Sequence, residues 1–241
     1  MYTGAKARGQ QVSTLYVIRH GQASFGAQDY DVLTELGREQ ARRLGGWLAG
    51  RSIDALYTGP RRRHRDTADL ICRAHGACPD PVEVEGLDEY PAEVIMRRAL
   101  PQLLATDPRA REVFGGDPPT PVDSERFQAM FEDVMHGWVR GAHDHPEVES
   151  FPAFAARVNA ALRGIIAGAG RGRTLLVSTS AGPVSIALQM TLDLAAPVAL
   201  RQSWVVANTA ITEIKFREDE VTLVSFNGTP HLPERRLITY R

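Results

Sequence analysis

The sequence predicts an α/β fold: a three-layer sandwich with a mostly parallel central sheet, helices on both faces, and an inserted helical cap. Three observations lead there. Leu15-Tyr16-Val17-Ile18 and Thr174–Ser178 are continuous apolar or β-favouring runs of strand length, the pattern of strands buried on both faces. Amphipathic segments with a helical period stand between the strand candidates, the alternation that builds a parallel sheet. The chain then ends in an alternating run from Ile211 through Glu213 that pairs with Val221–Phe226 as a hairpin, adding antiparallel character at one edge.

Taken in order, the first strand is followed by Thr34, an N-cap residue for a helix running to about Leu48. Ala41, Leu44 and Leu48 recur at i, i+3 and i+7, and Gly50 stops the helix. A short strand over Asp54–Tyr57 leads through Thr58-Gly59-Pro60 into a helix from Arg61 to about Ala74. Val82–Val84 is a further strand. Between Tyr90 and Glu149 the regularity changes: two helical segments flank a breaker-rich stretch, Asp107–Pro121. The second carries Phe127, Met130, Phe131, Val134, Met135 and Trp138 on one stripe, as a cap packed over one end of a sheet would. Ser150 starts an amphipathic helix with Pro152 in its first turn, where proline is tolerated. Phe154, Val158, Leu162, Ile165 and Ile166 line its buried face. The strand Thr174–Ser178 then passes through Thr179-Ser180-Ala181-Gly182 into a helix beginning near Pro183.

The chain has 241 residues, 43% hydrophobic and 24% charged, with a net charge of −1. A chain of this length buries roughly 70–75% of its unfolded surface and needs no disulfide or metal staple. The near-zero charge argues against nucleic acid or an acidic membrane as partner. Lys6 and Lys215 are the only lysines, so nearly all positive charge is arginine, the side chain that grips phosphate bidentately. Cys72 and Cys78 do not have zinc-site spacing and are expected to stay reduced, in a cytoplasmic protein. Residues 1–13 read as a disordered tail without the apolar core of a signal peptide, and no run approaches the roughly 20 apolar residues of a membrane span. The folded domain is expected over 14–241, with the cap at about 90–149. The edge hairpin or the cap could support a homodimer.

Two features carry chemistry. Arg19-His20-Gly21-Gln22 directly follows the first strand, and in open α/β sheets ligands bind just beyond the carboxyl ends of the strands. An imidazole nucleophile beside a fixed guanidinium suits phosphoryl transfer; a surface loop with two basic residues is the plainer reading. The second feature is the run Arg61-Arg62-Arg63-His64-Arg65. Arg62, Asp66, Asp69 and Arg73 share a polar face, with Arg62 and Asp66 at i, i+4. Arg63 instead shares the stripe of Thr67, Leu70, Ile71 and Ala74, which must meet the sheet. A charge there needs an anionic partner, either a structural carboxylate or a bound phosphate, and the helix's place after the end of a second strand favours phosphate. His64 and His75 are expected to be partly exposed. His136 falls in the cap, and His143-Asp144-His145 follows in a loop, a weak metal signal.

Arg19-His20-Gly21-Gln22, Leu33-Thr34-x-x-Gly37-x-x-Gln40-Ala41 and Pro60-x-x-Arg63-x-x-x-Thr67-Ala68, in that order, resemble the histidine phosphatase superfamily, the phosphoglycerate-mutase-like proteins. Leu87-Asp88-Glu89 resembles the segment carrying that family's proton-donating glutamate, and Glu149-Ser150 with Arg157-Val158 resembles its late helix. The resemblance spans about Leu15 to Asn208, interrupted by the cap. It implies a phosphomonoester phosphatase working through a phosphohistidine on His20, with Glu89 as acid and base. Arg19, Arg63, Ser180, Gln22 and the Ala181 amide would bind the phosphate of a small phosphorylated substrate, with no metal or organic cofactor.

One departure stands out. Where the family usually places a second histidine after the late strand, this chain has Ser180. A serine can donate one hydrogen bond to a phosphoryl oxygen but brings no charge, and losing one preorganised donor typically costs about 10²–10³ in rate. A slow enzyme is therefore expected, with Ser180→His raising turnover, or else a phosphate-binding pseudoenzyme. A histidine of the cap is one conceivable substitute for the missing ring. Mutase activity fits less well, because Tyr90-Pro91-Ala92 follows Glu89 in place of the mutases' arginine- and glycine-bearing continuation. A serine hydrolase using Ser180, Asp193 and His231 would have the right chain order, but Ser178 stands where its motif wants glycine, and Arg19, His20 and Arg63 would be left idle.

Overall fold

The computed structural model describes residues 11–24, 31–115, 120–121, 124–218 and 220–240. Its organising element is a six-stranded sheet in the order β3-β2-β6-β1-β7-β8. These strands are β1 (Ser13–Arg19), β2 (Ala55–Thr58), β3 (Pro81–Glu83), β6 (Thr174–Thr179), β7 (Ile211–Arg217) and β8 (Glu220–Gly228). β1 runs parallel to β6, β6 to β2, and β2 to β3. β7 is antiparallel to β1, and β8 to β7. The parallel sheet with an antiparallel hairpin at its edge is thus present. β1 begins with buried Ser13, so the strand takes the last residue assigned to the tail; Gln11 and Val12 before it are exposed, and residues 1–10 lie outside the described residues.

Because strand side chains alternate between faces, β1 serves two cores. Tyr16 and Ile18 pack with Leu44, Leu48, Leu56, Ile71 and Leu176 under α1 (Glu35–Leu48) and α2 (Arg62–His75). Leu15 and Val17 point the other way, into a larger core with Val177, Phe154, Val158, Leu162 and Val184. That side is covered by α6 (Phe151–Gly168) and α7 (Ala181–Leu192). α7 is buried from Ala181 to Leu188, which is why that stretch is apolar on nearly every side. The Thr34 hydroxyl accepts from the Gly37 amide and the Ser150 hydroxyl from the Ala153 amide, so both predicted N-caps are in place. Gly21 and Gly37 allow the loop after β1 to press against α1: a Cβ at 21 would overlap the Gly37 carbonyl, and one at 37 the Gln22 backbone.

The cap has more structure than its sequence suggests. It contains α3 (Ala92–Thr106), α4 (Pro108–Val113) and α5 (Ser124–Val139), with a two-residue ladder between β4 (Phe114–Gly115) and β5 (Thr120–Pro121). The expected breaker-rich stretch thus holds a short helix, which starts where Asp107 accepts from the Arg109 amide and Pro108 opens the turn; residues 116–119 of that stretch lie outside the described residues. A further helix, α8 (Ala196–Ser203), follows α7. Among the described residues, no helix is long and apolar enough to cross a membrane. The expectation of free thiols is corrected: Cys72 and Cys78 form a disulfide, Cα–Cα 5.3 Å. The left-handed Gly76 (φ 86°) ends α2 and turns the chain back, bringing the two cysteines within bridging reach.

Candidate active site

The parallel strands β1, β2 and β6 all end at one edge of the sheet, where backbone hydrogen bonds continue past them. The His20 amide donates to the Thr179 carbonyl (2.8 Å) and the Gly59 amide to the Ser178 carbonyl (3.0 Å). The segments His20–Gln22, Gly59–Arg63 and Ser180–Gly182 are thereby held side by side, in the position where ligands bind such sheets.

His20 is buried. Its Nδ1 lies 2.7 Å from the Gly21 carbonyl oxygen, and its Nε2 lies 3.1 Å from Arg63 Nε. A carbonyl can only accept and a guanidinium can only donate, so together they fix the tautomer: Nδ1 carries the proton and Nε2 presents its lone pair. Burial, reinforced by the charges of Arg63 and Arg19, holds the His20 pKa well below the ordinary histidine value. The ring is neutral at pH 7. Its backbone is fixed by the Asn208 side-chain amide, which donates to the His20 carbonyl (3.1 Å), and the next amide, Gly21, donates to Thr67 Oγ1 (3.0 Å).

Arg63 is 3% exposed, as its stripe predicted, and of the two alternatives for its partner it shows the carboxylate, that of Asp31. Its Nη1 pairs with Asp31 at 2.8 Å while its Nε faces His20. Asp31 also accepts from the Arg62 amide at 2.8 Å, so this loop carboxylate caps the N-terminus of α2, whose own N-cap residue, Arg61, provides no side-chain bond. The Arg19 guanidinium is buried and donates to the carbonyls of Val206 and Tyr240. It anchors the C-terminal segment, and its charge still acts on His20 and Glu89.

Ser180 is the N-cap residue of α7 and is buried. Its hydroxyl lies 2.7 Å from His64 Nε2 and 3.4 Å from Arg63 Nη2. His64 is therefore corrected: it is fully buried, with its ring centroid 5.7 Å from that of His20. The sequence carried a signal for this, since His64, Ala68 and Ile71 recur at i, i+4 and i+7 and all three are buried. The imidazole near the site comes from α2 and not from the cap. His136 stacks edge-on against Trp204, and His145 Nδ1 accepts from the Glu147 amide. An imidazole at 180 pointing where the Ser180 hydroxyl points would meet the His64 ring, 2.7 Å from that oxygen, so the gain expected from Ser180→His requires the new ring to take another direction.

Glu89 sits on the loop after a short 3₁₀ turn, Glu85–Leu87. Its carboxylate accepts from the Gly182 amide (3.1 Å) and the Tyr90 amide (3.0 Å). Desolvation nevertheless raises its pKa above the ordinary carboxylate value, against the pull of those two amides and of Arg63 and Arg19. Gly182 is required for this approach, since a Cβ there would overlap Glu89 Oε1. The loop is held from two sides. Arg61 Nε bonds Asp88 Oδ1 at 2.5 Å. Arg157, paired bidentately with Glu149 at 2.8 and 2.7 Å, donates to the Gly86 and Asp88 carbonyls at 3.1 and 3.2 Å.

Gln22 turns its side-chain oxygen to the Thr34 hydroxyl (2.8 Å), a contact that ties the loop to the start of α1. The Ala181 amide lies in the first turn of α7, where amides have no intrahelical acceptor and favour an anion. The hydrolase alternative does not assemble. Asp193 lies at the opposite end of α7 from Ser180, about 18 Å away along a helix of that length, and His231 Nε2 bonds Thr209 Oγ1 (2.9 Å). Among the described residues, no cluster of three or more His, Cys, Asp or Glu is arranged to hold a metal ion.

The sequence matches the family model described as histidine phosphatase superfamily (branch 1) over residues 15–138 and 95–229. A Hydrogenobacter thermophilus protein provisionally named phosphoserine phosphatase 2 is 26% identical over 231 residues, covering 90% of this chain and 96% of that one. The structure is similar to a phosphoserine phosphatase from Entamoeba histolytica solved with 3-phosphoglyceric acid. There the TM-score is 0.61 at 21% identity, over 91% of this chain and 99% of that one. It is also similar to a phosphoglycerate mutase from Bacillus anthracis str. Sterne, with TM-score 0.63 at 19% identity over 92% and 96% of the two chains. At these identities the likeness establishes the fold, which phosphatase and mutase share.

Proposed function

The chain belongs to branch 1 of the histidine phosphatase superfamily, and on that premise we propose that it is a phosphomonoester phosphatase acting through a phosphohistidine on His20. The observation that carries this reading is the fixed tautomer of His20, with Nδ1 at the Gly21 carbonyl and Nε2 turned to the buried Arg63 guanidinium. Nε2 attacks phosphorus as the ester P–O bond breaks, and the departing oxygen takes a proton from Glu89. Water then attacks the phosphohistidine, giving its proton to Glu89 and restoring the neutral ring. Splitting the displacement in two lowers each barrier, and the remaining work is positioning and charge stabilisation. Arg63, already bonded to the attacking nitrogen, shifts onto the phosphoryl oxygens when substrate is seated; Arg19 adds charge from behind.

The two perturbed pKa values agree with these roles. A depressed His20 pKa keeps the nucleophile unprotonated below the usual histidine range, while a raised Glu89 pKa keeps a fraction of the acid protonated closer to neutrality. The relative named for phosphoserine makes phosphoserine the first natural substrate to try. Turnover of p-nitrophenyl phosphate, with acid-labile labelling of the protein by phosphate, tests the proposal. His20→Ala is expected to lower kcat by about 10³-fold or more and to abolish the label. Equal turnover by the two proteins would overturn it. A phosphate-binding pseudoenzyme is the second reading, favoured by serine at 180: it requires phosphate binding without turnover by the wild-type protein.

A further inference from the structure

His64 is a buried titratable group with no part in the scheme above, and its setting is built in detail. The Ser178 hydroxyl donates to the His64 backbone carbonyl at 2.9 Å. Gly59, held in turn by the Ser178 carbonyl, leaves the room its ring needs; a Cβ at 59 would overlap His64 Nδ1. A fully buried imidazole is thus set 2.7 Å from the hydroxyl of a buried serine, with the nucleophilic ring beside it.

We propose that His64 is a positioning residue for phosphoryl transfer, acting through Ser180, so that the two side chains together do the work of one imidazole at the phosphate. This rests on the reading of His20 as nucleophile. A serine oxygen has one proton to give and two lone pairs. Arg63 Nη2, 3.4 Å away, can only donate to it. A seated phosphoryl group can only accept from it. With the phosphate in place, the Ser180 proton goes to the phosphoryl oxygen and the remaining lone pair takes the proton on His64 Nε2. A neutral imidazole can place its proton on either nitrogen, so the same ring accepts from Ser180 in the empty site and donates to it in the loaded one. The hydroxyl is then both aimed and polarised, because a donor to its oxygen strengthens the bond it makes to the anion.

The test compares His64→Leu, His64→Gln, Ser180→Ala and the double variant His64→Leu with Ser180→Ala. Each is read by kcat and KM for p-nitrophenyl phosphate and by affinity for orthovanadate, which mimics the transferring phosphoryl group without turnover. Circular dichroism and thermal melting establish that each variant is folded. His64→Leu is expected to lower kcat and vanadate affinity by about 10–100-fold with KM changed far less, a smaller loss than that of a direct donor. His64→Gln, whose amide can also donate to Ser180, is expected to recover most of the loss and stands in if the leucine variant does not fold. In the Ser180→Ala background, His64→Leu is expected to cost under threefold more, because coupled residues are not additive. The proposal is overturned if His64→Leu stays within twofold of wild type, if glutamine does no better than leucine, or if the two losses multiply in the double variant. His20→Ala, run alongside, separates the premises: turnover surviving there removes the phosphohistidine, whatever the vanadate affinities of the His64 variants show.

Discussion

The edge of the sheet around His20 and the cap over it are held together by different forces. At the sheet edge, polar groups that are mostly buried bond one another: Asn208 on His20, Arg63 on Asp31, Ser180 on His64, Gly182 on Glu89. In the cap the ion pairs are at the surface, as with Arg126 and Glu112 or Arg109 and Asp133, and order comes from apolar packing. Part of that packing is a small cluster of Ala110, Val113, Phe114 and Met130, and part is α5 joining the main core through Trp138. A buried polar network fixes geometry and tolerates little change, which suits the phosphoryl transfer proposed for this edge. Exposed pairs contribute little each, which makes the cap the part freer to change. The two regions meet at Tyr90, next to Glu89, whose ring lies 5.3 Å from that of Trp138.

Of the variants that probe this contrast, Glu89→Gln should show the largest effect: it removes the proposed acid and base, and its one amide oxygen can keep only one of the two backbone contacts, from Gly182 or from Tyr90. We expect kcat for an alkyl phosphate to fall by about 10²–10⁴-fold. The loss should be smaller for p-nitrophenyl phosphate, whose leaving group needs little protonation, and equal losses on the two substrates would break the assignment of the acid to this side of the network. Trp138→Ala acts on the junction. Trp138 is fully buried against Tyr90, Phe151 and Phe154, with its indole N–H bonded to the Glu149 carbonyl at 2.8 Å. Denaturant unfolding should record a loss of about 3–5 kcal/mol; a loss under 1 kcal/mol would mean that the cap and the main core are not joined there.

Acid should distinguish the two regions more gently. Burial holds His20 and His64 at the sheet edge well below the ordinary value and His231 at about 4, while in the cap only His143 is lowered among the described residues, by partial burial and the Arg140 charge. A group depressed in the folded state binds its proton more readily when unfolded, so its stabilisation is complete above the unfolded value, about 6.5. It is lost as pH falls through the folded value. Glu89, raised, has the opposite sign, stabilising below its unfolded value and ceasing to do so as pH rises through the folded one. Stability measured from pH 7 down to 5 should therefore fall, led by the sheet edge, and His231→Phe should flatten part of the slope. An unchanged slope would place the protons elsewhere.

Much of the fold was legible because it follows from local pattern. The apolar runs of β1 and β6, the stripes of α1, α2 and α6 and the caps at Thr34 and Ser150 lie near their expected limits, and Arg63 was placed on the sheet side by periodicity alone. The cap was less legible. α4 is a six-residue helix inside a stretch rich in breakers, and α8 begins in Ala195-Ala196-Pro197 without a side-chain cap, so neither had a long amphipathic period to show. The disulfide depended on how Gly76 turns the chain after α2.

By itself, the sequence determined the alternation of strands and helices, the edge at which His20 emerges, and the burial of Arg63, because burial and period are written residue by residue. Tertiary structure alone decided the company these residues keep. Asp31 reaches Arg63 across 32 positions, and His64 meets Ser180 across 116. Neither contact leaves a trace in its own segment, since each arises only when parallel strands bring their ends to one edge. Electrostatics follows the same division: the residues that titrate are in the sequence, but the burial that moves His20 down and Glu89 up exists only once the two cores have closed around them.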